Sequence, residues 1–73
     1  MKDEEKKTLE EFGKNLQRLR NEKELSLRQL AVLANMEHAL IHRIEKGTVN
    51  PKLTTLLTLA KALNVNLNEL LKA

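Results

Sequence analysis

SLRQLAVLANMEHALIHRIEKG, residues 26–47, decides the fold. Ser26 suits a helix start, because its hydroxyl can accept from a backbone N–H two or three positions on. Gln29 stands where a capping box takes Glu or Gln. Leu27, Leu30, Ala31 and Ala34 then recur at spacings of 3, 4 and 7, the period of one helix face. Ala31 is small, so a second helix can approach closely there. Asn35 predicts a turn, since after Gly it tolerates positive φ best. Met36 follows as an apolar plug. A second helix is predicted from about Glu37 to Lys46, with Ile41 and Ile44 inward and Gly47 as its stop. Residues 27–46 are therefore expected to be two short helices joined by a tight turn.

Upstream, Thr8 and Glu11 form a T-x-x-E capping signal, and Leu9, Phe12, Leu16 and Leu19 make one stripe. A helix is expected from Thr8 to about Lys23, with Lys14, Arg18 and Glu22 away from the stripe and Leu25 packing the turn into Ser26. Gly13 inside it costs about 1 kcal/mol relative to Ala and allows a close neighbour. Met1–Lys7 carries three Lys against three acids and no apolar anchor. It reads as a flexible charged tail or an extra turn of the first helix. Its balanced charge argues against a binding arm.

Downstream, Thr48–Lys52 is a loop, and Pro51 suits the start of the next helix. That helix is expected over about Lys52–Leu63, burying Leu53, Leu56, Leu59 or Ala60, and Leu63. Asn64 is its αL stop and Val65 packs inward. Asn66 and Glu69 form a second capping box for a last helix with Leu67, Leu70 and Leu71 as its apolar face. No strand signal and no repeat interrupts this series of five helices.

The spacing resembles the helix-turn-helix of the lambda-repressor-like domains, in particular the Cro/repressor (XRE) family of bacterial and phage regulators. The residues that carry the likeness are Leu30-Ala31, Asn35 where the family usually has Gly, Ile41, and Ile44-Glu45-Lys46-Gly47. Leu19-Arg20, Asn50-Pro51 and Leu63-Asn64-Val65 match further family steps. The likeness covers roughly residues 9 to 71. It implies an all-α, compact five-helix DNA-binding domain over residues 8–73. It also implies a partly buried Arg20–Glu45 ion pair tying the first helix to the recognition helix. Arg suits that role because its planar fork binds a carboxylate bidentately.

With Ile41 and Ile44 inward, His38, Ala39, His42, Arg43 and Lys46 lie outward. By position in the resembled family, His38, Ala39 and Arg43 match base-reading places, and His42 joins them as a candidate. Arg43 can pair with guanine O6 and N7, and Ala39 can touch a thymine methyl. Arg28, Lys46, Thr48, Asn50 and Lys52 are the candidates for phosphate. Three departures from the family reduce the polar reach of this surface. Leu27 replaces a Gln that can brace a phosphate. Glu37 replaces Ser or Thr before the recognition helix. Leu40 stands where a small polar residue is usual, and reads as a methyl or protein contact.

Composition agrees with a small regulator. A 73-residue chain is one domain with a modest core, burying about 60% of its unfolded surface. Aromatics are 1% of the chain, so the core is aliphatic, with Phe12 the one ring. There is no Cys, which excludes disulfides and Cys-based zinc and suggests a reducing compartment. No apolar run approaches the ~20 residues of a membrane span and no signal peptide opens the chain, so a cytoplasmic protein is expected. The initial Met and a capped last helix predict a nearly whole protein. Net charge is +3, and the surplus lies after Ser26, in the half that holds the outward helix.

His38 and His42 have i, i+4 spacing, but no H-E-x-x-H and no third ligand accompany them, so no metal is expected. No nucleophile–base pair and no Gly-rich phosphate loop can be assembled, which argues against an enzyme and against a cofactor. With no second domain, a small-molecule sensor is not expected. The reading is a sequence-specific transcriptional regulator that binds a palindromic operator in double-stranded DNA as a homodimer through Leu67, Leu70 and Leu71, though a monomer in dilute solution is compatible. The alternative is a protein-interaction module that kept the scaffold, motivated by Leu27, Glu37 and Leu40.

Overall fold

The computed structural model describes residues 2–72, and Met1 and Ala73 lie outside the described residues. Five helices follow in order: α1 (Asp3–Glu22), α2 (Leu27–Ala34), α3 (His38–Glu45), α4 (Leu53–Ala62) and α5 (Leu67–Leu71). No strand occurs among the described residues. None of the helices is long and apolar enough to cross a membrane.

Local chemistry explains most of the ends. Ser26 Oγ accepts from the Gln29 N–H at 3.0 Å, and Gln29 Oε1 accepts from the Ser26 N–H at 2.8 Å, a complete capping box on α2. Asn66 Oδ1 accepts from the Glu69 N–H at 2.8 Å and caps α5. Four helices stop in the same way. Glu24, Asn35, Gly47 and Asn64 each take positive φ, between 52° and 73°. The next N–H then reaches back to a carbonyl five residues earlier: Leu25 to Arg20, Met36 to Ala31, Thr48 to Arg43 and Val65 to Ala60. This is the Schellman arrangement, and it turns the chain sharply without leaving orphan carbonyls.

One expectation about ends needs correction. α1 begins at Asp3, so Thr8 lies inside it and its pair with Glu11 caps nothing. Asp3, Glu4 and Glu5 form the first turn, where acids oppose the positive end of the helix dipole. Asp3 to Lys7 of the charged stretch therefore open α1. α4 begins at Leu53, with Lys52 as an N-cap that makes no side-chain bond.

Seven aliphatic side chains are wholly enclosed: Leu16, Leu30, Ile41, Ile44, Leu59, Leu63 and Leu70. α1 to α5 all contribute, Leu63 following directly on α4, so each element is held by the same cluster. Each such burial stabilises by about 1.5–3 kcal/mol. Leu53 does not join them and is 63% exposed at the first position of α4. Leu70 is 0% exposed, so it cannot meet a partner, as expected above for the dimer surface. Its neighbour Leu71 is 51% exposed. Leu67 is partly buried against the core.

α3 sits between α1 and α2. Gly13 makes the α1 contact possible: a Cβ there would lie 2.6 Å from the Ile44 carbonyl oxygen. Gly47 closes the same seam, where a Cβ would lie 2.8 Å from the Glu10 backbone. Backbone meets backbone at both places.

Candidate nucleic-acid interface

The orientation of α3 is fixed from behind. Arg20 Nε donates to Glu45 Oε2 at 2.7 Å and its Nη2 donates to Oε1 at 3.0 Å. Its Nη1 donates to the Leu25 carbonyl at 2.8 Å. The fork is bidentate, and both side chains are almost enclosed, at 10% and 4% exposure. The hydrogen bonds that Arg20 donates to the Glu45 carboxylate raise the Arg20 pKa above its ordinary value. Burial opposes this and the Glu45 charge adds to it. No buried side-chain nitrogen or oxygen among the described residues lacks a partner.

Ile41 and Ile44 anchor the inner face of α3. The helical period then leaves His38, Ala39, His42, Arg43 and Lys46 exposed on its outer side, as the sequence predicts. Leu40 is partly buried and packs on the core, which explains it as a filler rather than a bare contact residue. Glu37 precedes α3 without bonding its backbone.

Two concavities flank the outer face. One is lined by Arg28, Val32, Asn35, Met36, Glu37 and His38, and joins α2 to the start of α3. The other holds His42 from α3 and Lys46 directly after it, beside Lys14 and Gln17 from α1. Arg28 and His38 thus share the first concavity, and Lys46 and His42 the second. The loop candidates are placed differently. Thr48 Oγ1 donates to the Arg43 carbonyl at 3.1 Å, so its hydroxyl serves the end of α3 rather than solvent. Asn50 lines a groove with Thr8, Leu9, Phe12, Pro51 and Leu71, on the α1–α5 side. Lys52 is exposed at the head of α4. No group of three His, Cys, Asp or Glu side chains suited to a metal occurs among the described residues.

Sequence reasoning overlooked Asn15. It is buried, and its Nδ2 donates to the carbonyls of Glu69 and Leu70 at 3.0 and 2.7 Å. Its Oδ1 accepts from Arg18, which also pairs with Glu22 at 2.7 Å. One amide on α1 thus satisfies two backbone acceptors of α5. The available signal was a polar residue beside Leu16 on the buried stripe.

The model of the family described as "Helix-turn-helix domain" matches residues 11–72. Among solved structures, the chain is similar to the restriction-modification controller protein C.AhdI from Aeromonas hydrophila. Identity is 37% and the TM-score 0.83, over 85% of this chain and 94% of that one. It is also similar to an HTH_3 family transcriptional regulator from Vibrio cholerae, at 26% identity and a TM-score of 0.86. That match covers 90% of this chain but 37% of the regulator's length. No curated protein sequence matches the chain.

Proposed function

The chain belongs to the helix-turn-helix domain family, and from that premise we propose that it is a DNA-binding transcriptional regulator that reads the major groove with α3. The observation that carries this reading is the face of α3. His38, Ala39 and Arg43 are free on the outside while Ile41, Ile44 and Glu45 hold the inside. A recognition helix presents side chains near its start to base edges in this way. Arg43 takes guanine, while Arg28, Lys46 and Lys52 take phosphate. Thr48 reaches a phosphate only by giving up its bond to the Arg43 carbonyl. The likeness to a restriction-modification controller supports a compact regulator of this kind acting in the cytoplasm, where the DNA is.

One α3 reads few base pairs, so the regulator works as a homodimer on a palindrome, with half-sites about 34 Å apart. The dimer surface centres on exposed Leu71, with partly buried Leu67 beside it. Leu53 and Leu57 are also exposed on α4, which packs on α5.

A second reading, a protein-interaction module, is favoured by Val32, an apolar side chain 80% exposed on α2. The double substitution Arg43→Glu with Lys46→Glu separates the two. It abolishes DNA binding under the first reading. Retained DNA binding by this variant sinks that reading.

A further inference from the structure

Lys14 and Gln17 are exposed on α1, yet they face a cleft of about 370 Å³ shared with the far end of α3. Leu27, the first residue of α2, forms another wall and offers no donor. The floor is the Arg20–Glu45 pair. Its charges cancel, and the guanidinium is occupied by Glu45 and the Leu25 carbonyl. Lys14 and Lys46 therefore supply the free positive charge of the rim, against the single carboxylate of Glu10. Neither lysine is in an ion pair among the described residues. Gln17 and His42 add further hydrogen-bonding groups.

A concave rim of ammonium and amide donors beside the outer face of α3 suits an anion held next to the groove. We propose that this cleft is a backbone-phosphate site, in which Lys14 and Gln17 of α1 and Lys46, directly after α3, clamp one phosphodiester of the bound duplex. The proposal rests on the DNA-binding reading above and adds α1 to the interface. A phosphate clamped from α1 fixes the angle at which α3 enters the groove, since phosphate contacts set register and orientation.

The test uses the full chain and two labelled duplexes of equal length. One is a winner from a randomised library and the other is unrelated to it. Affinity is followed between about 50 and 200 mM salt. Lys14→Ala is expected to weaken both duplexes by the same several-fold factor. It lowers the slope of log K against log salt by about 0.9. Gln17→Ala weakens both with little change of slope, and Glu10→Gln tightens both. Lys61→Ala, on α4 and outside the cleft, reports the effect of merely losing a charge. All four side chains are exposed, so folding is retained, and circular dichroism checks it. The proposal is overturned if wild type binds while Lys14→Ala and Glu10→Gln behave like Lys61→Ala. A wild type that binds neither duplex overturns the DNA-binding reading itself, a distinguishable failure.

Discussion

Arg20 and Glu45 carry the connection between the first helix and the outward one. Their two hydrogen bonds, at 2.7 and 3.0 Å, are made in near-complete enclosure. Removing either partner leaves a buried charge alone, so Arg20→Ala or Glu45→Ala is expected to destabilise by about 3–5 kcal/mol. Replacing both, Arg20→Met with Glu45→Leu, is expected to be close to neutral, because the desolvation cost leaves with the charges. Urea titration checks both. Single losses below about 1 kcal/mol would instead mark a pair that water screens. The pair was legible only through the family likeness, since nothing in the spacing of residues 20 and 45 brings them together. Asn15 was not legible at all. Its partners are two main-chain carbonyls of α5, and backbone acceptors leave no mark in the sequence.

At the scale of elements, the common stop of α1 to α4 is the governing device. Asn35, Gly47 and Asn64 were readable because Gly and Asn enter αL at low cost. Glu24 was not, because Glu has no such preference. Only the apolar Leu25 after it, which packs on the core, hinted at the turn. Glu24 holds φ at 58°. Glu24→Gly is therefore expected to stabilise by about 1 kcal/mol. Thermal unfolding measures it, and a lowered midpoint would contradict the account. The start of α1 was misread for a related reason. A capping signal at Thr8 outranked acids at Asp3, Glu4 and Glu5 whose effect comes from the field of the helix rather than from a local bond.

At the scale of the molecule, periodicity placed the core but not its edges. Leu70 and Leu71 are adjacent, and the sequence cannot rank them. The docking of α5 on α1 encloses Leu70 and leaves Leu71 outside. The two should behave oppositely. Leu71→Glu is expected to leave the fold intact and shift the chain from dimer to monomer in sedimentation equilibrium. Leu70→Ala is expected to destabilise by about 2–5 kcal/mol through the cavity it leaves. A Leu71→Glu chain that still dimerises would move the interface elsewhere.

The central claim is that α3 reads DNA sequence. The most direct measurement is selection of a randomised duplex library by the purified chain, with the affinity of the winners followed against salt. Enrichment of a palindrome is expected. Log K is also expected to fall with log salt by about 0.9 for each phosphate contacted. A library that emerges unenriched, with feeble binding indifferent to sequence, contradicts the claim.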